Sequence, residues 1–222
     1  MTSDRKALLN LFLAPCPFSS LLPCSLPSIL LAVDGLYRWD MATFKAINVG
    51  WHSDVLTPLF WLLSYTGLSQ VQIGLTLLLY RWPNCRRFIV PIIASIAFSG
   101  LVLAQGLKHL VISRDRPSNL VYAIPQEEFW GKNSFPSGHT TTAFAVATML
   151  VFMTLGSRRT WVGAMAMLWA VGVGVSRVYR GVHWPSDALA GACAGTFGAG
   201  IVYLLLNHKG WLDLTLERTR SV

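Results

Sequence analysis

Three clusters in this 222-residue chain carry side chains capable of chemistry, and each lies where a polar stretch meets an apolar one. The first runs from Lys108 through Arg114, Asp115, Arg116 and Pro117. The second is Ser134-Phe135-Pro136-Ser137-Gly138-His139, and the third is Ser176-Arg177 followed by His183 and Asp187. Together they supply three or four fixed cations, two histidines and, besides Asp115 between two arginines, the one carboxylate Asp187 near a histidine, a set that suits a phosphoryl group. Arginine meets phosphate oxygens through paired N–H donors, and lysine adds a point charge. The Ser137 and Gly138 amides, at an expected helix start, turn partial positive charge toward an anion, and glycine lets the backbone approach closely.

His183 and Asp187 stand four apart, and Pro185 between them suits the first turn of a helix, so the carboxylate can face the imidazole. A carboxylate against one ring nitrogen fixes the tautomer and leaves the other nitrogen free to attack. His183 is therefore the expected nucleophile, Asp187 its orienting group and His139 the general acid for the leaving group. The same pair could ligate a metal, but a third and fourth ligand are not evident in the sequence and the neighbouring arginines would repel a cation. No metal and no cofactor are expected. His52 and His208 have no such neighbours and read as structural.

The elements that must position these clusters are apolar. The chain is 53% hydrophobic and 13% charged, with a mean hydropathy of +0.49, which excludes an ordinary soluble globule. Apolar segments run over about 7–33, 57–80, 88–111, 138–155, 160–176 and 186–206; a helix crosses a bilayer core in roughly 20 residues. The expectation is an all-α polytopic bundle of about six transmembrane helices forming one membrane-embedded domain over 1–222. The first segment is the irregular one, because Pro15, Pro17, Pro23 and Pro27 interrupt it. Arg5 and Lys6 ahead of that run also fit a signal peptide, but the run is long and lacks a small-x-small cleavage site.

Six crossings put all three clusters on one side. Ten of the eighteen basic residues, Arg5, Lys6, Arg81, Arg86, Arg87, Arg158, Arg159, Lys209, Arg218 and Arg220, fall on the other, which marks it as cytoplasmic. The clusters then face the extracytoplasmic side. The net charge of +8 is spread as such anchors, not as a nucleic-acid-binding patch. Arg38 and Lys45 read as interfacial anchors too, whereas Arg180 and Lys132 fit either an anchor or a site role. The polar connection 112–137 is long enough to be functional, and Trp130 within it reads as an interfacial aromatic, with a substrate contact the alternative. The four cysteines, Cys16, Cys24, Cys85 and Cys193, form no CxxC pair and read as small apolar fillers.

The clusters resemble the three signature motifs of the type-2 phosphatidic acid phosphatase superfamily: a lysine ahead of Arg-Pro, then Pro-Ser-Gly-His, then Ser-Arg with a downstream His and Asp. Residues 136–139 match the second in full, and Ser176-Arg177 with His183 and Asp187 match the third. The resemblance spans about 57–206. It implies a phosphohistidine on His183, oriented by Asp187, with His139 as proton donor and phosphate held by Lys108, Arg116, Ser137, Gly138 and Arg177. One departure is that seven residues separate Lys108 from Arg116, where the family pattern has six. One helical position turns a side chain by about 100°, so either the helix is bulged or another cation such as Arg114 takes the lysine's place.

The resemblance implies a lipid phosphatase in the plasma membrane, acting on a lipid phosphate or diphosphate such as undecaprenyl diphosphate, phosphatidic acid or phosphatidylglycerol phosphate. A phosphotransferase discharging the same intermediate onto a sugar or lipid hydroxyl is the alternative enzyme. A non-catalytic lipid-binding or transport protein is disfavoured because the motif positions are filled. A vanadate-dependent haloperoxidase would share the anion site, but those chains are soluble.

Overall fold

The computed structural model describes residues 26–110, 114–125 and 133–209, with side chains from residue 33 onward. The expected first span lies largely outside these residues, as do Trp130 and Lys132. Among the described residues every regular element is helical: α1 (Leu26–Phe44), α2 (Leu56–Thr66), α3 (Ser69–Leu78), α4 (Ile89–Ala97), α5 (Gln105–Leu110), α6 (Gly138–Thr154), α7 (Thr160–Tyr179) and α8 (Pro185–His208). A wide π-helical stretch, Phe98–Ala104, joins α4 to α5 without a break in the rod, and a second, Lys45–Val49, extends α1.

Among the described residues three helical stretches are long and apolar enough to cross a membrane: Pro83–Leu110, Thr160–Tyr179 and Pro185–His208. Leu56–Thr66 and Ser69–Arg81 make a fourth if taken together, bent by 71°. The bend sits at Gly67, whose carbonyl accepts from the Gln72 side chain at 3.1 Å and from Thr142 Oγ1 at 3.2 Å. Those two donors satisfy an oxygen released by the kink, as hydrogen bonding in an apolar medium requires. The chain is a multi-pass membrane protein.

Helix α6 lies between α7 and α8, and small residues set how closely they approach. Ala143 and Ala147 of α6 meet Ala170 and Val173 of α7 in one buried seam. On the other flank, a Cβ placed on Gly191 would come within 2.7 Å of the Ser137 carbonyl, and one on Gly195 would overlap the Thr141 carbonyl. Association in lipid depends on such tight packing, because there is no water to expel. Farther from the clusters, Phe88, Ile92 and Ile96 pack with Met149, Phe152, Val202 and Tyr203, joining α4, α6 and α8 into a core.

The sequence pattern leaves 34–56 as a connection, and here the structure differs. Helix α1 and its extension fill most of that interval, up to Val49. Asp34, Arg38 and Asp40 interrupt the hydropathy signal, but Arg38 and Asp34 pair with each other at 2.8 Å, one turn apart on an exposed face. Asp40 is fully buried. Asn48 is buried as well, donating to the Ile124 carbonyl at 3.0 Å and the Tyr179 carbonyl at 2.7 Å, while the Ile124 amide donates back to it at 2.9 Å. One side chain thus fastens the end of α1 to the end of α7 and to the 120–125 segment.

Candidate active site

The helix ends that carry the three clusters converge on a cavity of about 440 Å³. Lys108 from α5, Arg116 from the following loop, and Gly138 and His139 from the start of α6 contribute to its wall. Arg177, Arg180 and His183 come from the end of α7 and the turn after it, and α2 adds Trp61, Ser64 and Tyr65.

The turn carrying His183 follows from local sequence. Helix α7 ends in a Schellman motif: the Val182 amide donates to the Arg177 carbonyl at 3.2 Å and the Gly181 amide to the Val178 carbonyl at 3.0 Å. Gly181 has φ +74°, a left-handed conformation that costs a residue with a Cβ about 1 kcal/mol or more. This reversal puts His183 just past Arg177. Pro185 then opens α8 at its first position, and Asp187 accepts from the Trp184 amide at 2.9 Å, closing the helix start.

His183 is 3% exposed and Asp187 is fully buried. The Asp187 Oδ2 atom lies 3.6 Å from His183 Nδ1 and accepts from the Ser134 hydroxyl at 2.5 Å. Ser134 Oγ is also 3.5 Å from His183 Nδ1. The opposite nitrogen, Nε2, faces Arg116 Nη1 at 3.5 Å, and that same guanidinium nitrogen donates to the Val182 carbonyl at 2.9 Å. The imidazole is therefore braced on its Nδ1 side by a carboxylate and a hydroxyl, and on its Nε2 side meets the Arg116 guanidinium. Burial pushes the His183 pKa down to about 4; the hydrogen bond to Asp187 raises it, and the charges of Arg177 and Arg116 lower it further. The ring is neutral at neutral pH, the state in which it has a lone pair to donate.

Arg177 is buried and directs Nη1 to the hydroxyl of Ser64 on α2. Arg180, also buried, lines the same cavity. His139 is half-buried against the bend of α2 and α3, where a Cβ on Gly67 would lie 3.3 Å from that of His139. Lys108 lines the cavity while His109, the residue at the six-residue family spacing, is exposed. The wide turns of Phe98–Ala104 immediately upstream re-phase the helix that carries them.

Two expectations about the anion site change. Ser137 is fully buried, its hydroxyl accepts from Thr140 at 2.9 Å and its amide donates to the Asp187 carbonyl at 3.1 Å. It ties the start of α6 to that of α8, while Gly138 and His139 of the first turn line the cavity. Arg114 is not the lysine's substitute. Its guanidinium reaches Asp187 Oδ1 at 2.8 Å and Asp40 Oδ2 at 2.6 Å, on the side of Asp187 away from His183. Asp40 and Ser64 carry no motif signal in the sequence; only their contacts reveal them.

Similarity to known proteins agrees with this geometry. The chain is 32% identical to the lipid A 4'-phosphatase of Bacteroides thetaiotaomicron over 59% of its own length and 58% of that protein's, so it spans somewhat over half of this relative. It is 33% identical to the undecaprenyl-diphosphatase of Sulfolobus acidocaldarius, over 72% of this chain and 74% of that one. The crystal structure of a transmembrane PAP2-type phosphatidylglycerolphosphate phosphatase from Bacillus subtilis superposes with a TM-score of 0.66, covering 93% of this chain and 98% of that one at 22% identity, and so shares the fold. Residues 88–211, which carry all three clusters, match the family model of the PAP2 superfamily, and the chain belongs to that superfamily.

Proposed function

We propose that this chain is a metal-independent lipid phosphatase that removes phosphate from a lipid phosphate or diphosphate through a phosphohistidine on His183. The observation that carries the reading is the bracing of His183, with Asp187 and Ser134 at Nδ1 and Arg116 at Nε2. In the first step Nε2 attacks phosphorus, the bond from phosphorus to the lipid-side oxygen breaks, and His139 protonates that oxygen as it leaves. In the second, water attacks the phosphohistidine with His139 as base, releasing inorganic phosphate and the free imidazole. Lys108, Arg116, Arg177 and the amides from Gly138 onward hold the phosphoryl oxygens, with Ser137 fixing that helix start. These fixed positive groups match charge developing in the transition state, which is the role a metal would otherwise fill.

A lipid substrate is supported by the membrane setting of the cavity. Trp61 and Tyr65 stack at 5.4 Å with an interplanar angle of 7° on its wall, and both remain about half exposed on the outside of α2. A hydrocarbon tail can lie along that aromatic flank while its phosphate enters. The distribution of basic residues supports placing the site on the extracytoplasmic face of the inner membrane. With the names of the relatives, that side favours undecaprenyl diphosphate over phosphatidic acid or phosphatidylglycerol phosphate.

The test is phosphate release by detergent-purified protein from a panel of these lipids in excess chelator, beside His183→Ala. Release that the substitution abolishes is expected. Equal release by the variant, or none from any lipid, would overturn the reading.

A further inference from the structure

The motif residues account for one side of Asp187. Its other oxygen leads away from the cavity, through Arg114, to a carboxylate on α1. Asp40 is fully buried, and each of its oxygens is used: Oδ2 takes Arg114 Nη2 at 2.6 Å and the Ser186 hydroxyl at 2.6 Å, and Oδ1 takes the Ser186 amide at 2.8 Å. Arg114 Nη1 then spans Asp187 Oδ1 at 2.8 Å and Ser186 Oγ at 2.7 Å. The guanidinium also lies over the Trp184 ring at 5.1 Å, which limits its rotation.

We propose that Asp40 and Arg114 are positioning residues for the phosphatase reaction, a bridge from the amino-terminal helix that sets the orientation and charge of the Asp187 carboxylate and, through it, the basicity of His183. The inference rests on the reading of His183 as nucleophile. A buried carboxylate is costly without a matched partner, so a second buried acid 146 residues away in sequence from Ser186 is more than a helix anchor when its partner cation is shared with Asp187, the orienting carboxylate. Arg114 divides its charge between the two. Asp40 holds that cation in place, and the cation keeps Asp187 from drawing a full proton affinity onto the imidazole.

The groups facing His183 from each packed element are Asp187 from α8, Arg177 from α7, Arg116 from the loop after α5 and His139 from α6. Arg114 reaches the ring only through Asp187, so its removal leaves the others in place. Arg114→Gln should therefore raise the His183 pKa and move the acid limb of kcat/KM upward by about one pH unit. Asp40→Asn, nearly isosteric, should lower kcat by roughly 10- to 100-fold with KM little changed, since no substrate contact is lost. Because Asp40 acts through Arg114, the Asp40→Asn loss should vanish in an Arg114→Gln background.

The experiment is this double-substitution cycle in detergent, with kinetics against pH and a parallel NMR titration of the ¹³C-labelled histidine rings. The His183 signal is identified by its loss in His183→Ala. An upward shift of that titration in Arg114→Gln, with non-multiplying losses, is expected. An unmoved titration, or losses that multiply, overturns the bridge. The ring titration reads the bridge without turnover, so a wild type that releases no phosphate would sink the phosphatase reading alone.

Discussion

Replacing Asp187 with asparagine changes one oxygen into an NH₂ group at a site where every neighbour is a donor. Oδ1 accepts from Arg114 at 2.8 Å, and Oδ2 accepts from Trp184 at 2.9 Å and from Ser134 at 2.5 Å. Either amide orientation therefore sets a donor against a donor, and an orphaned buried donor costs about 1–3 kcal/mol. The catalytic cost is larger. With the amide NH₂ toward the ring, Nδ1 of His183 becomes an acceptor and the proton moves to Nε2, which then has no lone pair for phosphorus; with the oxygen toward the ring, the imidazolium-like transition state still loses its countercharge. In a Ser-His-Asp triad the equivalent change costs about 10⁴ in rate, and at about 1.36 kcal/mol per decade the barrier rises by roughly 5 kcal/mol. The assay is single-turnover phosphoryl transfer from a ³²P-labelled lipid, following the labelled enzyme intermediate, with thermal melting measured alongside. A loss of three to four decades in the transfer rate with a modest fall in melting temperature is expected. If Asp187→Asn keeps a tenth or more of the wild-type transfer rate, the assignment of Asp187 as the orienting group is wrong.

In the wild type, the acid limb of kcat/KM, where His183 takes a proton, should lie near pH 4, with a basic limb where His139 loses the proton it donates; an acid limb at the free-imidazole value of about 6.5 would count against the buried nucleophile. The sign for stability is the same. Because the folded-state pKa is depressed, the unfolded chain binds the proton more readily, so melting temperature should drop as pH falls from about 6.5 toward 4 and be insensitive to this group above that window. Gly195→Leu should force α8 away from the Thr141 carbonyl of α6, and a cost of about 1–3 kcal/mol or more should appear as a lower melting temperature in detergent, against little change for Gly74→Ala, where a Cβ has open space. Chelation by EDTA should leave phosphate release within twofold, and a tenfold loss restored by magnesium would refute the metal-free reading.

Much of the site was legible because its residues recur in short runs whose spacing places them at helix ends. His139 after Pro-Ser-Gly, and His183 four residues before Asp187, need only local geometry to be found. Asp40, Asn48 and Ser64 were not legible, since none belongs to a short motif and the partner of each lies far off in sequence. Helix α1 was legible only over 26–33, where the apolar segment 7–33 overlaps it. Beyond that the hydropathy falls at Asp34 and Asp40, although Asp34 pairs along the helix and Asp40 is buried against Arg114. The shifted lysine left two alternatives open in the sequence, a bulged helix or a substitute cation such as Arg114; the wide turns of Phe98–Ala104 fit the first, and three-dimensional proximity gives Arg114 to two carboxylates.

The carboxylate of Asp187 also accepts from the Trp184 amide at the first turn of α8. In the proposed mechanism the group that aims the nucleophile is thus the group that begins the helix, so the two tasks depend on one carboxylate. A chain whose last helix is unformed has no half-built centre able to cleave phosphate from whatever lipid lies near it. For variants altered far from the cavity and from the Asp187 network, turnover per molecule would accordingly track the fraction of copies in which the last helix has formed.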